Sequence, residues 1–242
     1  MKNLILILTL FIAFVSCNAN DQNKLKPYDV KSGIVEYSTT TSGKMMGSTI
    51  SGSGIEKLFF KDWGAVELKE TESSQTTTIK IFGRGKTETE STHTINKLDN
   101  GESYLVDFDK KQIFAGRDMA MDMTKAFQPN ADAGEVGENM LESMGGKKVG
   151  TEKFLGYNCD VWEFSGGKQW LYKGVMLKLE MTMLGITTIT EAKTVEFEVS
   201  VPDKYFKLPD FPIQKEEGFM DNEEFEDDME DMDANMEKLS KM

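Results

Sequence analysis

Apolar residues recur at every second position in short runs along this chain, and that spacing restricts its fold more than any other feature. Val35 and Tyr37, Leu58 and Phe60, Val66 and Leu68, Ile79 and Ile81, and Tyr104, Val106 and Phe108 each alternate with polar neighbours. A strand sends successive side chains to opposite faces, so a period of two marks half-buried strands, whereas an amphipathic helix needs spacings of three and four. Gly52-Ser53-Gly54, Asp62-Trp63-Gly64, Gly83-Arg84-Gly85 and Asp99-Asn100-Gly101 punctuate these runs, and glycine supplies the positive φ that tight turns require. Asp109-Lys110-Lys111-Gln112 separates two further runs as a hairpin loop. The expected class is mainly β, an antiparallel meander of roughly ten strands.

The same pattern returns from Val149. Cys159 and Val161 alternate with Trp162 and Phe164, and a two-residue turn at Gly166-Gly167 sets Trp162 opposite Leu171 and Val161 opposite Tyr172. Val175, Leu177, Leu179, Met181 and Met183 then share one face, and a last strand runs through Val195, Phe197, Val199 and Val201 to Pro202. Between these two β regions the period changes. Asp118 caps a helix carrying Met119, Met123 and Phe127 on one stripe, ended by Pro129; Asp132 caps a second with Val136, Met140 and Met144, ended by Gly145-Gly146. Two short helices, each with a methionine-rich apolar stripe, are therefore expected as an insertion over 118–145.

The N-terminus reads as an export signal: Lys2 precedes an apolar run from Leu4 to Val15 broken only by Thr9. Twelve helical residues cover roughly 18 Å against a hydrocarbon core of roughly 30 Å, too short for a permanent span. Phe14-Val15-Ser16-Cys17 resembles a bacterial lipobox, with Phe14 standing where leucine is usual. That resemblance implies cleavage of 1–16, lipidation of the Cys17 thiol and attachment to the membrane through it. The alternative is an ordinary secretory signal that contains a cysteine. Residues 17–32, polar and interrupted by Pro27, read as a flexible tether, 33–213 as the β domain, and 214–242 as an acidic tail.

Charge narrows the partners. The 242-residue chain has a formal charge of -13, which becomes -14 once Lys2 leaves with the signal, and no basic stripe interleaved with aromatics is present, so nucleic acid is excluded as a ligand. From Lys215 onward twelve carboxylates face three lysines, which puts -9 of that charge in the tail. Phe225, Met229, Met232, Met236 and Leu239 form an apolar seam there, so the tail is either disordered or an amphipathic helix docked on something, and a basic protein is the partner its charge suits.

Catalytic chemistry is sparse. With Cys17 lipidated, Cys159 is left without a disulfide partner and reads as a buried structural residue, and His93 is the chain's only histidine. No nucleophile–base pair, zinc-ligand spacing, nucleotide loop or EF-hand order is found, so no cofactor and no enzyme activity are expected. Met119-x-Met121-x-Met123 and Met181-x-Met183 resemble Cu(I)-binding thioether arrays, but a helix turns Met121 away and a strand keeps Met181 and Met183 with the valines and leucines; core packing is the preferred reading. Acidic residues at alternate strand positions read as a solvated face.

A meander interrupted by two helices and preceded by a lipid anchor resembles the half-barrel fold of lipoprotein-localisation carriers and their outer-membrane receptors. The resemblance covers 33–212 and rests on strand order, on Gly156-Tyr157-Asn158-Cys159-Asp160-Val161-Trp162 and on the run from Phe197 to Pro202. It implies an open half-barrel whose helices act as a lid over an apolar cavity that takes acyl chains. The lid stripe is then Met119, Met123, Phe127, Val136, Met140 and Met144. The function expected on this basis is an exported lipoprotein at the outer membrane that binds a lipid or acyl chain without catalysis. In the alternative, the helices plug the sheet and the protein is an envelope scaffold with a filled core and a partner-recruiting tail.

Overall fold

Among the described residues twelve strands form one open, curved sheet. The structure is a computed structural model that describes residues 26–45, 47–81, 84–117, 141–143 and 145–215. In chain order the strands are β1 (Gly33–Met45), β2 (Ser48–Lys61), β3 (Val66–Ile81), β4 (Arg84–Asp99), β5 (Glu102–Asp107), β6 (Gln112–Arg117), β7 (Lys147–Phe154), β8 (Tyr157–Phe164), β9 (Gly167–Tyr172), β10 (Val175–Met183), β11 (Ile186–Phe197) and β12 (Ile213–Lys215). Across the sheet they run β12-β6-β5-β4-β3-β2-β1-β11-β10-β9-β8-β7. Two meanders, β1 to β6 and β7 to β11, meet at an antiparallel seam where Val35 pairs with Val195. Short β12 pairs parallel with β6.

Local chemistry explains the hairpins. Asn100 (φ 54°) and Gly101 (φ 99°) form a two-residue loop that pairs Asp99 with Glu102, a turn whose double positive φ matches the strand twist. Gly52 and Gly54, expected in a turn, instead lie inside β2, paired with Gln75 and Ser73. A Cβ on either would stand 3.0 Å from the Ser74 or Glu72 carbonyl oxygen, so these glycines serve the close approach of two backbones. The reversal comes earlier, where Met45 pairs with Ser48.

Three further expectations are corrected. The β8–β9 loop is Ser165-Gly166, because Gly166 takes the positive φ (82°); Phe164 therefore pairs with Gly167, Trp162 with Gln169 and Val161 with Trp170. In β10 a bulge between Met176 and Lys178 breaks the alternation: Val175 and Leu177 are fully buried, while Met183 is 58% exposed. The last long strand stops at Phe197, since Glu198 adopts φ 57°, and Val199 and Val201 leave the sheet.

Apolar side chains gather in two clusters. Adjacent β2 residues Phe59 and Phe60 point to opposite faces and belong to different clusters, as do Ile34 and Val35 in β1. One cluster holds Val35, Tyr37, Leu58, Phe60, Cys159, Trp170 and Leu177, closed by Val30 and Tyr28. Thus the tether expected to reach Ser32 is packed from Tyr28 on. Tyr28 N–H donates to the Trp63 carbonyl (3.1 Å), Asp29 N–H to that of Lys173 (3.0 Å), and the Tyr28 ring meets Phe60 edge-on at 4.8 Å. The second cluster, Phe59, Val66, Leu68, Ile95, Val106 and Ile113, is closed by a strap over 199–211 that brings Val201, Tyr205, Phe206 and Phe211. Tyr205 stacks on Phe59 at 4.5 Å.

One α-helical turn, 141–143, is present among the described residues beside two 3-10 turns, Asp62–Gly64 and Asp203–Phe206; Gly146 N–H closes the α-helical turn on the Leu141 carbonyl at 2.7 Å. The lid stripe of Met119, Met123, Phe127, Val136, Met140 and Met144, the lipobox with Cys17, and the acidic tail beyond Lys215 lie outside the described residues, while Gln214 and Lys215 belong to β12. No helix among the described residues is long and apolar enough to cross a membrane.

Phe60 is fully buried, so Phe60→Ala removes a ring from a closed cluster and lowers unfolding free energy by about 3–5 kcal/mol in urea titrations. Burial, reinforced by nearby carboxylates, raises the phenol pKa of both Tyr28 and Tyr37 above the ordinary 10.0. The folded state holds both protons after the unfolded chain has lost them, so stability is intact below pH 10 and falls as pH rises further. Tyr104, raised to about 12 by its hydrogen bond to Glu102, and the buried Cys159 thiol add to the same alkaline loss. Each such group contributes a slope of at most about 1.4 kcal/mol per pH unit, and Tyr28→Phe makes the alkaline slope measured by denaturation at stepped pH shallower by about that much.

Candidate functional site

Beyond the strap, the face that carries Phe59, Leu68 and Ile95 continues along β2, β3 and β4 and turns polar. Alternation places Glu70 and Glu72 on the same side of β3 as Leu68. In register, Glu72 stands opposite His93 and Glu70 opposite Ile95, so two carboxylates and the chain's one imidazole begin where the apolar floor ends. His93 Nε2 lies 2.8 Å from Glu70 Oε1, and one donor atom from each of Glu70, Glu72 and His93 falls within 4.8 Å of the others.

The imidazole is clamped. It stacks on Phe108 with centroids 3.7 Å apart and planes 6° from parallel, and Phe211 of the strap meets Phe108 edge-on at 5.7 Å. A cleft of about 660 Å³ opens in front of the group, bounded by Gly54 and Ile55 of β2, Glu72 and Ser74 of β3, Ser91 and His93 of β4, and Asp109 of the β5–β6 turn. Ile55 is its apolar contact, 52% exposed. Further out, hydroxyls pair across the strands, Thr76 with Thr89 (3.0 Å) and Thr78 with Thr87 (3.1 Å), so the arm is held by polar cross-strand pairs.

Cys159 is fully buried in the first cluster, burial pushes its thiol pKa up, and its Sγ lies 3.7 Å from the Tyr157 carbonyl oxygen. It packs among Val161, Trp170 and Leu177, and His93 is engaged with Glu70 and Phe108. Sequence reasoning misses Glu70 and Glu72 because alternating acids read as a solvated face. The available signal is Glu70-x-Glu72 combined with hairpin arithmetic: pairing Ile81 with Arg84 makes paired positions sum to 165, which sets Glu72 against His93.

No protein-family model matches the chain, and no curated protein matches it. Among solved structures it is similar to an uncharacterized conserved protein from Thermus thermophilus, at 6% identity over 75% of this chain and 90% of that one, with a TM-score of 0.40. A structure of PNGF-II gives 13% identity over 77% of this chain and 32% of that one, with a TM-score of 0.34. A putative outer membrane lipoprotein-sorting protein domain from Vibrio parahaemolyticus gives 12% identity over 73% and 89%, with a TM-score of 0.29. At these scores none of the three decides what this chain binds.

Phe108→Leu removes the ring that lies flat on the imidazole. The His93 ring-proton resonances, unique in the spectrum because the chain has one histidine, move downfield in that variant by proton NMR.

Proposed function

We propose that this chain is a lipid-anchored protein of the bacterial envelope that binds an apolar ligand, a lipid or acyl chain, against its open sheet and works without catalysis. The observation that carries this reading is topological. β6 and β7 follow one another in sequence yet stand on opposite sides of the sheet, ten strand spacings apart. At about 4.8 Å per spacing that is about 48 Å along the sheet. The connection between Arg117 and Lys147 has to bridge that separation, and its sequence carries the methionine-rich stripe. In this reading Met119, Met123, Phe127, Val136, Met140 and Met144 face the sheet as a soft lid, and the ligand lies between. Cys17 is the lipidated anchor, the location is the outer membrane, and the acidic tail beyond Lys215 recruits a basic protein.

A second reading is favoured by the two closed clusters. Tyr28 and Val30 seal one and the 199–211 strap seals the other, as a scaffold with a filled core would have it. One titration separates the two. The full chain in detergent binds a fluorescent fatty acid, unlabelled fatty acid displaces it, and Met123→Asp with Met140→Asp weakens binding roughly tenfold, a change of about 1.4 kcal/mol. If the unmodified chain takes up no probe, the acyl-chain reading falls and the scaffold reading stands.

A further inference from the structure

From the cleft on β2 to β4 we infer a divalent transition-metal site, with His93, Glu70 and Glu72 as its three protein ligands. The inference goes beyond the acyl-chain reading and stands whether or not a lipid is bound.

Donor type comes first. One imidazole and two carboxylates make a mixed nitrogen and oxygen set that suits Zn²⁺ and its first-row neighbours, whereas Mg²⁺ and Ca²⁺ favour oxygen alone. Geometry agrees. Ligands about 2.1 Å from a tetrahedral zinc lie about 3.4 Å from one another. The three donor atoms already lie within 4.8 Å, and His93 Nε2 and Glu70 Oε1 are at 2.8 Å. Closing the set takes side-chain adjustment and release of the proton that Nε2 shares with Glu70, the ring keeping its other proton on Nδ1. Glu72 is the side chain with room to move: it is exposed and makes no hydrogen bond or ion pair among the described residues.

Charge points the same way. Glu70 and Glu72 lie two residues apart on one face, where like charges repel. Lys57 stands opposite Glu70 in register but makes no ion pair among the described residues. A divalent cation would neutralise the pair where the protein's own cations do not.

The surroundings resemble those of a prepared ligand. Phe108 lies flat on the His93 ring, Phe211 wedges Phe108 from the strap, and together they hold the nitrogen toward Glu70. Three protein ligands leave a fourth position open to the cleft of about 660 Å³, with Asp109 on its wall. That position would take water, or the carboxylate or phosphate of a bound molecule.

The sole imidazole makes the test specific. The full chain, purified in detergent without a polyhistidine tag, is titrated with ZnCl2 at about pH 7.5 in excess Mg²⁺, which occupies unspecific carboxylates including those of the tail. The expected result is that the His93 ring resonances change and saturate at one equivalent of zinc. Glu72→Gln and His93→Phe, both read also by calorimetry, weaken that event about tenfold or more, and Glu72 is exposed, so its variant folds. Zinc binding that leaves the His93 resonances unmoved, or that is equally tight in His93→Phe, overturns the site.

Discussion

The central pair of strands, β1 and β2, carries large apolar side chains on both faces, and the rest of the architecture answers that constraint. Phe59 and Phe60 are neighbours in sequence and therefore cannot be buried on the same side. A single sheet with one dry face leaves one of them in water, at a cost of about 1.5–3 kcal/mol for a side chain of that size. The chain covers both. The segment holding Tyr28 and Val30 lies on the Phe60 side, and the 199–211 strap lies on the Phe59 side, so the two ends of the folded region act as separate covers. Hydrogen bonds fix them in place: Glu198 N–H to the Ser32 carbonyl at 2.9 Å, and Ser32 Oγ to the Val199 carbonyl at 2.7 Å, tie the first cover to the start of the second.

Away from that centre the strands outrun their covers. β3 and β4 are each 16 residues long, but β5 pairs with β4 only from Thr94 to Asp99. The uncovered length is built of threonine, serine and glutamate, residues that tolerate water on a β-surface, and cross-strand hydroxyl pairs replace packing as the lateral contact. The Glu70, Glu72 and His93 group occupies the border between the two regimes. On one side Ile95 and Leu68 belong to the roofed cluster; on the other Ser74 and Ser91 face the cleft. A border of this kind supplies both a rigid apolar support for an imidazole and open access for a solute.

The sequence made individual strands legible because alternation is a local property, set by the pleat of each strand. It read the alternation within β5 and β8 and read Asn100-Gly101 as a turn. It misplaced Gly52-Ser53-Gly54 because glycine marks either a turn or a close backbone approach, and only the partner strand distinguishes them. The candidate site depended on the same ambiguity. A loop centred on Arg84, as Gly83-Arg84-Gly85 suggests, makes paired positions sum to 168 and sets Glu72 against Asn96; the observed pairing of Ile81 with Arg84 sums to 165 and sets it against His93. An odd shift of this size also moves every partner to the other face.

By itself, then, the sequence determined a mainly β chain with a buried free cysteine at Cys159, because composition and period act within a few residues of each position. The tertiary structure alone decided that β1 pairs with β11, that β6 and β7 end up on opposite sides of the sheet, and that two glutamates meet His93. Those outcomes follow from loop lengths, bulges and the need to cover both faces of β2. All three are long-range conditions that no single segment encodes.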